Sequence, residues 1–186
     1  MHLTDFEQAE TKYNVIYADP PWQFETYSEK GKDRSPENHY ECMTLEEIEN
    51  LPIAKLAAED CILFMWMTAP LLDRQLDVIY NWGFTYKTVG FVWVKQNKLN
   101  DNPFFGLGYY TRANAEYVAI ATRGKPGRPK VMNISQVVMS PIREHSRKPD
   151  EVRRNIETMY DGNRIELFAR TSAPGWDTFG DEPDRF

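Results

Sequence analysis

Asn14-Val-Ile-Tyr-Ala18 runs directly into Asp19-Pro20-Pro21-Trp22. Five residues with an apolar run and no charge read as a buried strand, and two consecutive prolines cannot continue a hydrogen-bonded ladder, so the strand stops where Asp19 begins. An acid at the carboxyl end of an early buried strand is the usual arrangement of an open α/β sheet, where ligands and chemistry collect outside the strand ends.

Further strands and helices follow the same alternation. Residues 61–67, Cys-Ile-Leu-Phe-Met-Trp-Met, predict a second buried strand. Residues 70–82 place Leu72, Leu76 and Ile79 at helical spacing before Gly83. Residues 84–95 predict a long strand, so strand, helix and strand form a crossover typical of a parallel sheet. Thr44-Leu-Glu-Glu47 fits a capping box that opens a short helix. Residues 116–122 predict another strand and 149–160 a helix with Val152, Ile156 and Met159 inward; 164–169 and 176–180 predict two final strands. Two polar stretches, 25–40 and 96–114, predict loops long enough to be functional.

Composition narrows the classes. The chain has 186 residues, 41% of them hydrophobic, and is expected to form one domain. No apolar segment has the length of a membrane span or the form of a secretory signal, so a cytoplasmic protein of a bacterial or phage-infected cell, without membrane partners, is expected. Cys42, Cys61 and three scattered histidines lack metal-ligand spacing, and no metal is expected. The net charge is −6, yet residues 123–154 hold nine Lys and Arg against three acids. That local excess of +6 predicts a stripe able to follow a phosphate backbone, with 123–147 holding it.

Asp-Pro-Pro-Trp carries chemistry suited to a planar amine. The exocyclic nitrogen of adenine is a weak nucleophile because its lone pair is delocalised into the ring, and two acceptors for its two hydrogens would draw it out of conjugation. The Asp19 carboxylate can take one hydrogen. The Pro20 carbonyl can take the other, since the Pro20-Pro21 step has no N–H to compete, and Trp22 can stack on the base. Positioning and charge stabilisation would then do the work without a covalent intermediate, on a base that is flipped out or single-stranded.

With Tyr17-Ala-Asp-Pro-Pro-Trp22 in place, the chain resembles the adenine-amine methyltransferase family that includes the catalytic subunit of the eukaryotic mRNA enzyme and many bacterial and phage DNA enzymes. The resemblance extends through Leu63-Phe-Met-Trp-Met67, Gly90-Phe-Val-Trp-Val-Lys95, Gly108-Tyr-Tyr-Thr-Arg112, the Arg143 to Glu151 segment, Arg164-Ile-Glu-Leu-Phe-Ala-Arg170 and Gly175-Trp-Asp-Thr-Phe-Gly-Asp-Glu182. It implies a Rossmann-like S-adenosylmethionine-dependent fold, α/β with a mostly parallel sheet, in permuted order with the catalytic motif N-terminal and the cofactor half C-terminal. It implies catalytic roles for Asp19, Pro20, Pro21 and Trp22, and a cofactor site from Asp19, Lys148, Glu166, Leu167, Phe168, Arg170, Asp181 and Glu182. Lys148 and Arg170 would lie toward the methionine end, and Glu182, with Asp181, would accept from ribose hydroxyls. Substrate contacts are expected from Trp22, Tyr109, Arg112, Glu116, Ser146 and Arg147, with Glu116 either a substrate contact or a buried partner for Arg112.

The chain departs from the commoner Phe-x-Gly-x-Gly cofactor turn, because Phe168-Ala169-Arg170 offers no glycine nest. No accessory module is expected, so sequence reading is expected to fall to the two long loops. DNA is the expected substrate. RNA methylation, a non-catalytic nucleic-acid-binding subunit, and a protein or small-molecule amine methyltransferase are the alternatives, and pairing as a homo- or heterodimer is left open.

Overall fold

The computed structural model describes residues 10–23, 43–106, 108, 110–144 and 147–179. Tyr13–Ala18 forms β1, flanked on one side by β2 (Ala57–Met67) and on the other by β6 (Arg164–Leu167), both parallel to it. β3 (Thr85–Gln96), β4 (Ala115–Arg123), β5 (Val137–Pro141) and β7 (Asp177–Phe179) complete a seven-stranded sheet in the order β5-β3-β4-β2-β1-β6-β7. β4 pairs antiparallel with both β2 and β3, whereas every other pairing is parallel. The expected β2 to β3 crossover is therefore present with β4 inserted between its two strands.

Both faces of the sheet are covered, which explains why the central strands read as continuous apolar runs rather than alternating ones. On one face Ile16, Ala18, Leu63, Met65 and Leu167 pack against Ile48 of α1 (Leu45–Glu49) and Val78 and Ile79 of α2 (Leu72–Asn81). On the other, Val15, Tyr17, Phe64, Trp66, Phe91 and Trp93 meet Val152 and Ile156 of α3 (Asp150–Met159). The capping box at α1 forms in both directions: Glu47 N–H donates to Thr44 Oγ1 at 3.2 Å, and Thr44 N–H donates to Glu47 Oε2 at 2.8 Å. After α3, Gly162 takes φ +106°, and a Cβ there would lie 2.6 Å from Asn14 Oδ1, so only glycine fits this return into β6.

Two expectations need correction. Val137–Pro141 forms an edge strand, paired with β3, that the sequence did not reveal, because its burial alternates while its residues, Val-Val-Met-Ser-Pro, do not alternate in polarity. The basic segment is also not one continuous stripe. Lys125 N–H bonds Asp60 Oδ1 and Arg123 bonds the Ala54 carbonyl, which puts this part of the segment near the amino ends of β1 and β2. Arg143, Arg147 and Lys148 lie at the opposite end, past β5 and near Asp19. The cations of residues 123–130 thus cannot share one short phosphate track with those around Lys148.

The described residues of the stretch 96–114 are held by backbone and side-chain hydrogen bonds. Lys95 N–H donates to the Asn114 carbonyl and Gly106 N–H to the Ala113 carbonyl, while the Asn97 amide reaches the Asn102 and Pro103 carbonyls. Among the described residues no helix is long and apolar enough to cross a membrane.

Candidate active site

Asp19 emerges directly after β1, its N–H donating to the Leu167 carbonyl of β6 at 3.4 Å. Lys148 Nζ donates to both Asp19 oxygens at 2.8 Å. The same ammonium lies 3.4 Å from Glu116 Oε2, and Glu116 Oε1 lies 2.5 Å from Lys95 Nζ. Each of these side chains is only 16–21% exposed, so water screens the four charges weakly. Burial alone would raise the Glu116 carboxyl, but Lys148 and Lys95 together outweigh it and hold it at about 2.

A second network supports the first. Arg143 donates to Asp150 Oδ2 at 2.8 Å and to the carbonyl of Lys148, tying the Lys148 loop to the start of α3. Arg153 donates to Glu166 Oε2 at 3.0 Å, and Glu166 stands beside Tyr17 in the β1/β6 register. Burial pushes Glu166 up to about 6, against the pull of Arg153. Asp19, Tyr17, Lys148, Glu166, Phe168 and Arg170 line one cleft at this end of the sheet. The donor set fits S-adenosylmethionine: carboxylates at Asp19 and Glu166 suit its cationic centres, and Lys148 and Arg170 suit its carboxylate.

Several expected roles change with the geometry. Trp22 is 4% exposed, packed in the core with its indole N–H on the Trp66 carbonyl at 3.1 Å, so its ring has little surface left for a base. The Pro20 carbonyl does not escape competition, because Trp22 N–H donates to it at 2.8 Å; one lone pair remains. Leu167 is fully buried in the core rather than lining the cleft, since consecutive residues on a strand face opposite sides and Glu166 takes the cleft side. Glu116 pairs with Lys95 and Lys148, while Arg112 is exposed. Arg147 borders the cleft and reaches Glu144 at 3.1 Å. Tyr109, Ser146, Asp181 and Glu182 lie outside the described residues.

One residue, Lys95, and one backbone conformation, that of Phe168, escaped the sequence reading. Lys95 was quoted only as the end of a motif, although period two places it on the face of Phe91 and Trp93. Phe168 takes φ +60°, the left-handed conformation that a glycine normally supplies, immediately after β6. The turn after β6 thus adopts a glycine-like backbone while keeping a side chain.

The raised Glu166 makes a pH prediction. A carboxyl near 6 in the folded protein against an ordinary 4.5 means that the native state binds the extra proton between these values, so stability rises as pH falls from about 6 to 4.5. The gain is on the order of 2 kcal/mol. Urea midpoints measured from pH 4.5 to 7 should show this slope in the wild type and lose it in Glu166→Gln; parallel profiles for the two would remove Glu166 as its source.

The MT-A70 family model matches residues 13–182. The chain is 37% identical to the type II methyltransferase M.MunI of Mycoplasma sp over 191 residues, covering 93% of this chain and 79% of that protein. It is 30% identical to the human N(6)-adenosine-methyltransferase catalytic subunit METTL3 over 177 residues, covering 93% of this chain but 28% of the relative. A putative N(6)-adenosine-methyltransferase of Medicago truncatula is 31% identical, with 26% of its length covered.

Proposed function

Because the chain belongs to the MT-A70 family of adenine-specific methyltransferases acting on nucleic acid with S-adenosylmethionine, we propose that it methylates the exocyclic N6 amine of adenine in DNA. The observation that carries the reading is the Lys148 clasp on Asp19 at the carboxyl end of β1, beside a cleft of suitable charge. The bound cofactor supplies an electrophilic methyl group. The protein's share is to hold and aim the amine.

Asp19 accepts one amine hydrogen, and the remaining lone pair of the Pro20 carbonyl accepts the other. Lys148 and Glu116 fix the plane of the Asp19 carboxylate, so the acceptor is in position before the base arrives. Trp22 contributes by locking the turn to β2 through its indole N–H. We read the whole chain as one methyltransferase domain in permuted order, which is supported by β1 carrying Asp19 first and by β6 and β7 closing the sheet last beside it.

The DNA reading rests on likeness in length to the type II methyltransferase M.MunI, of which the chain spans 79%. The RNA reading is the better represented among the relatives: those named as N(6)-adenosine-methyltransferases are the more numerous, although the chain spans only about a quarter of the length of each. Matched single- and double-stranded DNA and RNA oligonucleotides, incubated with labelled S-adenosylmethionine, decide between them. Label on adenine in DNA at a rate at least about tenfold above RNA is expected; the reverse ratio replaces DNA by RNA.

A further inference from the structure

Lys95, Glu116, Lys148 and Asp19 form a file of alternating charges, two cations and two anions, that runs across four segments of the chain. Its floor is aromatic. Lys95 Nζ lies 5.2 Å from the Trp93 ring and Lys148 Nζ 5.3 Å from the Trp66 ring, and the two tryptophans meet edge to face at 6.2 Å. Such a floor offers the charges no hydrogen bonds beyond those they make with one another.

The members of the file differ in what holds them. Trp93 stands directly opposite Glu116 in the β3/β4 register, and Lys95 follows two residues later on the same face of β3. Both Lys95 and Glu116 are therefore fixed by paired strands. Lys148 instead sits on the connection between β5 and α3, and its ammonium needs an anchor on the sheet.

We propose that Lys95 is a positioning residue for cofactor binding, acting through Glu116 on Lys148 and thereby on Asp19. Lys95 occupies Glu116 Oε1 at 2.5 Å and leaves Oε2 facing Lys148 at 3.4 Å, a longer contact than the two 2.8 Å bonds from Lys148 to Asp19. Remove Lys95, and Glu116 becomes an under-compensated carboxylate beside Lys148. It draws the ammonium toward itself and away from Asp19. The proposal rests on the reading of the cleft beside Asp19 as the S-adenosylmethionine site.

The test is the affinity of the full-length protein for S-adenosylmethionine, measured by calorimetry with thermal unfolding alongside. Lys95→Met is expected to weaken binding roughly ten- to a hundredfold, and Lys95→Arg to recover most of the loss. The double variant Lys95→Met with Glu116→Gln is expected to bind better than Lys95→Met alone, because no bare carboxylate remains to pull Lys148. Wild-type affinity in Lys95→Met, or a double variant no better than the single one, overturns the positioning role. Lys148→Met separates the two readings. If it too binds like wild type, the cleft is not the cofactor site; if it binds poorly while Lys95→Met does not, the site stands and Lys95 has no part in it.

Discussion

Replacing Asp19 with alanine is expected to slow methyl transfer to adenine by roughly a thousandfold while the protein stays folded. The loss follows from the site's construction. With Asp19 gone, the amine retains one acceptor at the Pro20 carbonyl, whose other lone pair already serves Trp22 N–H, and the nitrogen stays conjugated with its ring. The fold is expected to survive because Lys148 keeps Glu116 within 3.4 Å. Asp19→Asn keeps an acceptor oxygen without the charge and should fall between alanine and wild type. Initial rates with labelled cofactor on an adenine-containing oligonucleotide measure the effect. Activity within about tenfold of wild type in Asp19→Ala would assign the chemistry to other residues of the chain.

Much of this site is legible in the sequence, for reasons that differ by residue. β1 and its stop at Asp19 could be read because two prolines end a ladder unconditionally, and the α1 cap because Thr44 and Glu47 satisfy each other locally. The partner of Glu116 could not. Arg112, Lys95 and Lys148 were equally available cations along the chain, and only the β3/β4 register, with Trp93 across from Glu116, decides for Lys95. The basic segment misled for the same reason: residues 123–154 are contiguous in sequence, yet β5 carries the chain from one end of the sheet to the other between its halves. For Leu167, strand alternation already separates it from Glu166 and turns it to the core. Trp22 was harder, because an aromatic after a catalytic turn is as able to pack inward as to face a base, and only the Trp66 carbonyl settles its direction.

Lys148→Met should cost stability as well as cofactor affinity, and its pH dependence identifies the cause. Removing one partner of a buried ion pair typically costs 3–5 kcal/mol, and with side chains here 16–19% exposed a value of about 2–3 kcal/mol at pH 7 is expected. In the wild type, Glu116 is held at about 2 against an ordinary 4.5. Its depressed value means that its contribution is complete above 4.5 and is lost as pH falls toward 2. Without Lys148, Glu116 should take up its proton at higher pH than in the wild type. The variant's deficit should therefore be full at neutral pH and shrink as the solution is acidified through the carboxylate range. Urea unfolding at a series of pH values down to about 3 would show the two stability curves converging. A deficit of constant size across that range would mean that the lysine contributes through its packing on Trp66, 5.3 Å from its ammonium, and not through the two carboxylates it joins.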